Sequence, residues 1–295
     1  MASERKATKE EQRIEERGRS IVARKLFCEL SPACYQISVC KERLKRHLKN
    51  IRTGSTLATA FEEELPCIVK GHASILMRRL HNVDMELQQN KKTNLEIAAA
   101  KINKVIIRPG ETFSFWYLVG KPTKKNGYKK GLVISKNGLY SEVGGGLCQL
   151  ANMIHYLVLN SPLDVVELHH HSDALFPDDR RRVPFGTGTS VFYNYLDYRF
   201  QNNTDQNVQL LLWVTEEMLC GELHSEREFQ YRYRLLEENH HFKKEEGKFY
   251  RISQVYRIKI DKESQKEVAR ELILDNHSEV MYDYALIPKE QIRKA

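Results

Sequence analysis

The residues best suited to chemistry lie at a glycine-rich turn, where Gly144, Gly145 and Gly146 precede Leu147 and Cys148. A cysteine in the first turn of a helix lies at the positive end of the helix dipole, which favours the reactive thiolate. Glycines let the backbone approach a ligand closely and turn N–H groups toward an oxyanion. The pattern therefore predicts a nucleophilic Cys148, although the commoner role of a cysteine in an apolar helix is packing in the core.

A histidine cluster follows at His169, His170 and His171. In a strand, His169 and His171 would point to one face and His170 to the other. A cysteine nucleophile needs an imidazole to remove the thiol proton and a third group to orient the ring, for which Asp173 and Glu167 are candidates. Two alternatives stay open, a zinc site and an ordinary polar strand end. Since neither a CxxC pair nor an HExxH helix is present, no metal or cofactor is predicted.

A hairpin and a helix would position these groups. Two β-prone runs, 132–135 and 139–143, flank an Asn-Gly turn, which is a strong hairpin signal. After the glycines, apolar residues recur at helical spacing up to Asn160, where Ser161-Pro162 ends the helix. Cys148 is therefore expected in the first turn of a helix with one buried face.

The remaining pattern predicts an α+β protein with a mainly helical N-terminal third. A charged helix is expected at 1–25, a basic helix at 40–50, and further helical patterns within 56–100. Mainly antiparallel β-sheet follows, with the helix of the Gly-Gly-Gly-Leu-Cys-Gln turn inserted into it. Strands are expected at 104–108, 112–116, 191–200, 208–214, 228–236, 249–260 and 270–274.

The composition and charge of the chain limit the classes of protein to which it can belong. The chain has 295 residues, 41% of them hydrophobic, which is enough for a real core, and a net charge of +8 that favours an anionic partner. No nucleic-acid motif is present. The basic helix at 40–50 is expected to make weak contact with an anionic surface. Neither a membrane span nor a signal peptide is recognisable, so we expect a cytoplasmic protein with six reduced cysteines.

Several motifs together resemble the VanW family over roughly residues 104–221. They are Arg108-Pro109-Gly110-Glu111-Thr112-Phe113-Ser114-Phe115, Gly120, Gly127-Tyr128, Gly144-Gly145-Gly146-Leu147-Cys148-Gln149, His171-Ser172, Pro184-Phe185-Gly186-Thr187-Gly188-Thr189-Ser190-Val191 and Asp197-Tyr198-Arg199-Phe200-Gln201-Asn202. The resemblance implies three regions: a mainly helical N-terminal region (1–103), a VanW-like core domain (104–221), and a β-rich C-terminal extension packed on the core (222–295).

The same resemblance implies a link to the bacterial cell wall and to glycopeptide resistance. Exported relatives of the domain are associated with L,D-transpeptidation of peptidoglycan through a cysteine thiolate. Carried over, Cys148 is the nucleophile and His171 the base, with Gly145, Gly146 and Gln149 around the oxyanion. Asp173 is kept beside them as the candidate orienting acid. The candidate substrate-binding residues are Gly144, Gly145, Gly146, Gln149, His169 and Ser172.

Two departures distinguish this chain from the exported relatives. Gly188 and Thr189 stand where those relatives often carry Asp-Ala, and the expected cytoplasmic location would limit substrates to soluble precursors or lipid-linked intermediates. The first hypothesis is therefore a Cys–His acyl transferase or hydrolase acting on a peptidoglycan peptide or precursor. The second is a non-catalytic module that binds such a precursor or a partner protein, and a third is a scaffold that docks through residues 1–25.

Overall fold

The computed structural model describes residues 26–52, 54, 56–77, 85–135, 138–170, 173–174, 177, 183–184, 187–193 and 196–293. The chain forms two compact units, Met1–Thr53 and Gly54–Ala295. In the first unit a short 3-10 turn, Phe27–Glu29, precedes helix α1, Pro32–Arg52. The basic helix expected at 40–50 is thus confirmed as part of a longer one, whereas the helix expected at 1–25 lies outside the described residues.

The second unit contains three α-helices and all fifteen strands that the structure describes. The helices are α2 (Met85–Ile102), α3 (Phe115–Val119) and α4 (Cys148–Leu159). The strands are β1 (Ala60–Phe61), β2 (Cys67–Ile75), β3 (Val105–Ile107), β4 (Thr112–Ser114), β5 (Lys130–Ser135), β6 (Gly138–Val143), β7 (Asp164–Glu167), β8 (Asp173–Ala174), β9 (Arg199–Gln201), β10 (Val208–Val214), β11 (Met218–Ser225), β12 (Tyr231–Glu245), β13 (Lys248–Asp261), β14 (Glu267–Val280) and β15 (Ile292–Arg293).

The main core lies between a five-stranded sheet and the helices α2 and α4. The sheet has the order β1-β3-β10-β11-β2, and every neighbouring pair in it is antiparallel. Helix α2 packs on β10, and α4 packs on β11 and β2. Their apolar faces bury Leu95, Ile154 and Leu157 completely. The helical faces are apolar and the strands are rich in Val, Ile and Leu. Burial of this apolar surface therefore stabilises the packing of α4 on the sheet.

The C-terminal part of the chain is a long meander. Strands β12, β13 and β14 pair antiparallel, and the short strands β15 and β8 add to the two edges in parallel. A smaller sheet, β4-β9-β7, and the hairpin β5-β6 complete the unit. The guanidinium of Arg257 on β13 donates to the carbonyls of Ser161 and Leu163, just after α4. This contact ties the meander to the end of the helix that begins with Cys148.

The predicted α+β class is confirmed, with mainly antiparallel sheets and α4 inserted after the hairpin. The hairpin itself is confirmed as β5-β6. The strands predicted at 249–260 and 270–274 fall within β13 and β14, and the one predicted at 228–236 overlaps β12 from Tyr231 onward. Helix α2 confirms the last of the helical patterns expected within 56–100, whereas strand β2 corrects an earlier one. Strand β2 pairs along its length with β11, which satisfies its backbone groups in a way that helical spacing does not reveal.

Two further elements differ from expectation. The strand expected at 112–116 ends at Ser114, because the Ser114 hydroxyl accepts the N–H of Tyr117 and so caps α3. The long strand expected at 191–200 is reduced to one bridge, Phe192 to Leu196, and to β9. Between them the buried Asp197 carboxylate accepts the backbone N–H of Tyr198 and of Trp116, replacing ladder hydrogen bonds.

Candidate functional site

The glycine-rich turn delivers the chain from β6 into α4. Gly144 and Gly146 have φ values of +83° and +95°, a region that other residues rarely adopt. The N–H of Gly144 donates to the carbonyl of Lys129, and that of Gly145 to the carbonyl of Glu142. Helix α4 then begins at Cys148, as the sequence predicted. The turn thereby fixes where the thiol emerges.

Gly145 lies against the backbone of β5. A Cβ built there would collide with the carbonyl of Gly131, a backbone group that cannot rotate away. Asn94 of α2, which is fully buried, clamps the same place. Its side-chain amide donates to the carbonyls of Gly145 and Lys129, each at 3.0 Å, and its side-chain oxygen accepts the N–H of Lys129 at 2.8 Å. The predicted substrate-binding turn is therefore held rigid from behind by α2.

The Cys148 thiol is half-buried and points to the carbonyl oxygen of Val191, with a sulfur–oxygen distance of 3.7 Å. Burial raises the pKa of this thiol, although backbone hydrogen bonds at Val191 and at Cys148 itself act in the opposite direction. Burial of the sulfur therefore favours the protonated thiol over the thiolate. Desolvation thus acts against the thiolate that a helix N-terminus favours, and a nucleophilic Cys148 stays a prediction.

A segment that we call the strap, residues 187–191, runs along the face of α4 that carries Cys148. Asn152 lies four residues beyond Cys148 on that face. Its side-chain oxygen accepts the N–H of Thr189 at 2.6 Å. On its other side, the strap donates from the N–H of Ser190 to the carbonyl of His169 at 2.6 Å. The strap therefore covers the thiol and connects it to the segment that leads into the histidine cluster.

Gln149, a predicted substrate-binding residue, makes contacts of its own with β2. Its side-chain amide donates to the Ser74 hydroxyl and to the Ile75 carbonyl, both at 3.0 Å. The amide therefore holds the end of β2 in this state of the protein. A role for Gln149 toward substrate stays a prediction.

His169 is held by Glu167, with 3.1 Å between its Nε2 and the carboxylate. Glu167 also accepts the N–H of Asp197. A carboxylate beside a histidine is the arrangement expected of an orienting acid, and here Glu167 orients His169.

The structure describes only part of the remaining predicted site residues. His171 and Ser172 lie outside the described residues. Of Asp173 the backbone alone is described, in β8 opposite Glu279 of β14. Strand β8 thus brings the end of the histidine segment to the edge of the C-terminal sheet. The meeting of Cys148, His171 and Asp173 stays a prediction.

A cleft of about 340 Å³ opens beside α4, next to the strap residue Thr187. Its charged and polar lining consists of Asp164, His170, Thr187, Arg257, Glu271 and His155. His155 is buried, with 3.1 Å between its Nδ1 and the hydroxyl of Tyr198. Burial, with a smaller contribution from His170, lowers the pKa of His155 to about 3. Burial likewise raises the pKa of Tyr198 well above its ordinary value. The His155 imidazole that lines the cleft is therefore neutral near pH 7, and it contacts the buried hydroxyl of Tyr198.

Sequence reasoning missed four polar residues at this site: Asn94, Asn152, His155 and Asp197. The spacing held a signal for two of them, since Asn152 and His155 follow Cys148 by four and seven residues and so share its helix face. Asp197 accepts four hydrogen bonds, including 2.6 Å from the Ser114 hydroxyl and 2.7 Å from Arg199 Nε. No local sequence pattern connects Asp197 to Ser114. Nor does one connect Asn94 to Gly145, because each of these contacts joins distant parts of the chain.

The described residues contain no cluster of three or more His, Cys, Asp or Glu side chains able to hold a metal ion. Within the same ranges, no helix combines the length and apolarity that crossing a membrane would require.

Comparison with known proteins identifies relatives of this domain. Residues 90–224 match the family model described as VanW like protein. The chain is 28% identical over 224 residues to the vancomycin B-type resistance protein VanW of Enterococcus faecalis, covering 76% of this chain and 82% of that protein. It is 32% identical over 120 residues to the uncharacterized protein YoaR of Bacillus subtilis, covering 41% of this chain and 38% of YoaR. No solved structure matches the chain significantly.

The matched segment runs from the middle of α2 to the end of β11. It includes Asn94, the glycine-rich turn, all of α4, the strap and Asp197. The geometry built around Cys148 is thus the geometry of the matched domain, and the chain carries a VanW-like domain at residues 90–224.

Proposed function

We propose that this protein acts in bacterial vancomycin resistance as a cysteine acyl transferase of the L,D-transpeptidase type, with a cell-wall peptide or precursor as substrate. The connection to resistance rests on the similarity to VanW. The observation that carries the chemistry is the placement of Cys148. Cys148 is the first residue of α4 and follows directly after the glycine-rich turn, which Asn94 and Gly131 hold in place.

In this reaction the Cys148 sulfur attacks the carbonyl carbon of an L–D peptide bond. A base, for which His171 is proposed, takes the thiol proton and gives it to the departing amine. The C–S bond forms as the C–N bond breaks, and the resulting thioester passes its acyl group to a second amine or to water. The N–H groups of Gln149, Leu150 and Ala151 already donate to the carbonyls of Gly146 and Leu147. The proposed donor to the oxyanion is therefore the backbone N–H of Cys148 itself, at the start of α4.

Because the pKa of Cys148 is raised, the thiol proton has to be removed within the substrate complex. A protonated thiol reacts slowly, so the base must remove the proton when substrate is bound. The strap must also yield the position it occupies beside the sulfur. We propose that the protein works in the cytoplasm, where it would meet soluble precursors or lipid-linked intermediates.

Incubation with a synthetic peptide that contains an L–D peptide bond tests this function. Intact-protein mass spectrometry should detect an acyl adduct, and peptide mapping should place it on Cys148. Cys148→Ala should abolish the adduct while the protein stays folded, and Cys220→Ala is the matched control because Cys220 lies outside the site on β11. An adduct that persists in Cys148→Ala would remove Cys148 as the nucleophile.

A second candidate is a binding module without chemistry, and two observations favour it. Burial raises the pKa of the thiol, and the cleft beside α4 combines carboxylates, imidazoles and a guanidinium able to hold both ends of a peptide. In this case the same peptide binds, measured by calorimetry, with equal affinity in wild type and Cys148→Ser, and no adduct forms. His155→Phe, inside the cleft, should then weaken binding, whereas His241→Phe on β12 should not.

A further inference from the structure

Helix α1 exposes an apolar stripe that is not covered by the described residues of its unit. Five of its residues fall within one narrow sector of the helix when successive residues are spaced by 100°. They are Ile37, Cys40, Leu44, Leu48 and Ile51. All are exposed, and Ile51 keeps 77% of its surface, Leu44 61% and Ile37 58%. The buried residues of the helix, Val39 and Arg46, lie on the opposite side. The stripe extends over about 20 Å of helix.

The charges around the stripe indicate what covers it. The helix carries six Lys or Arg side chains and a single Glu. Lys41, Lys45 and Arg52 border the stripe along one side, and all three are exposed. An apolar stripe bordered by basic side chains, on a helix of low average hydropathy, is the pattern of helices that lie in the plane of a membrane surface. The apolar residues enter the acyl boundary while the basic ones meet anionic headgroups.

A second copy of the chain fits the stripe less well. The stripe repeats at spacings of three and four residues, which also suits a two-helix coiled coil. Pairing two copies would, however, bring two strongly basic helices side by side, and their like charges would repel. An anionic lipid surface offers the same apolar burial with charge attraction. We therefore infer that α1 is an interfacial helix that docks the protein on an anionic membrane surface.

The inference does not rest on the proposed function, since α1 lies outside the VanW-like domain and does not involve Cys148. The test uses the full chain with two kinds of vesicle, pure phosphatidylcholine and phosphatidylcholine mixed with phosphatidylglycerol. Co-sedimentation should show binding to the anionic vesicles, weak binding to the neutral ones, and a loss of binding as salt rises.

Two double variants of α1, each with a control elsewhere in the chain, test which side chains contact the membrane. Leu44→Gln with Leu48→Gln should lower the partition coefficient roughly tenfold, because two apolar side chains no longer leave water. Ile68→Gln, an equally exposed residue on β2, is its control and should change nothing. Lys41→Glu with Arg52→Glu should abolish the preference for anionic vesicles. Lys124→Glu with Lys125→Glu, in an exposed turn of the other unit, should retain it.

Cys40 supplies a readout at the stripe itself. Anionic vesicles should slow its alkylation, resolved by peptide mass spectrometry, and leave that of Cys67 on β2 unchanged. The inference is overturned by equal sedimentation with both vesicles, by no sedimentation, or by binding that survives the Leu44 and Leu48 changes. It is also overturned if light scattering shows a dimer that those two changes dissociate and Cys40 is protected without lipid.

Discussion

The side-chain amide of Asn94 on α2 donates to the carbonyl oxygen of Gly145, 51 positions later in the chain, across 3.0 Å. The same side chain makes two hydrogen bonds to Lys129, so one buried residue joins α2, the start of β5 and the turn before Cys148. The position of the candidate nucleophile therefore depends on a helix outside its own strand–turn–helix unit.

Asn94→Ala should destabilise the protein by about 2–4 kcal/mol, because it removes three hydrogen bonds and leaves a buried carbonyl without a donor. The measurement is the free energy of unfolding from urea titration. Asn126→Ala is the matched control, since the Asn126 amide makes one exposed hydrogen bond to Lys121. The control should change stability by less than about 0.5 kcal/mol. Equal losses for the two variants would contradict the clamp.

Gly145→Ala should lower the stability of the protein more than the addition of a single methyl group usually does. The new methyl group meets the carbonyl of Gly131, so β5 and the turn must separate, at a cost of about 1–3 kcal/mol or more. Gly71→Ala is the control, because its nearest contact would be an ordinary 3.5 Å to the Glu222 side chain. Thermal unfolding of both variants tests the difference. A Gly145→Ala protein as stable as Gly71→Ala would show that the turn is not packed against β5.

Asn152→Ala should release the strap. The N–H of the buried Thr189 loses its acceptor, which favours states in which the strap lifts from Cys148. Alkylation of Cys148 should then accelerate roughly fivefold to tenfold, the size expected for one hydrogen bond. Asn160→Ala is the control, since Asn160 bonds to Tyr156 at the other end of the same helix. If both variants accelerate alkylation equally, loosening of α4 and not of the strap is responsible.

His155 should make stability sensitive to mild acid. Its pKa is about 3 in the folded protein against an ordinary 6.5, so between these values the unfolded chain binds a proton that the folded protein does not. Stability is therefore full above pH 6.5 and falls as the pH drops toward 3, by up to about 1.4 kcal/mol per pH unit. In His155→Gln this part of the slope should disappear, as measured by urea unfolding between about pH 7 and pH 4. His47→Gln, at an exposed position of α1, should keep the wild-type slope.

Local signals in the sequence determined the elements around the site. The Asn-Gly pair between β-prone runs predicted the β5-β6 hairpin, and the apolar spacing after the glycines predicted α4 with Cys148 in its first turn. These predictions succeeded because turn chemistry and amphipathic periodicity act over a few residues. The motifs around the glycines, Gly188 and Asp197 also sufficed to identify the VanW resemblance.

Tertiary structure alone decided how these elements meet. Strand β2 exists because β11 offers it a partner, and the run at 191–200 is broken because the Asp197 carboxylate takes backbone N–H groups that a sheet would have used. The protonation of Cys148 and of His155 is likewise set by burial, which depends on what the strap and the sheets place around α4. Sequence spacing fixes which residues share a helix face, whereas desolvation and long-range hydrogen bonds arise only when distant segments pack together.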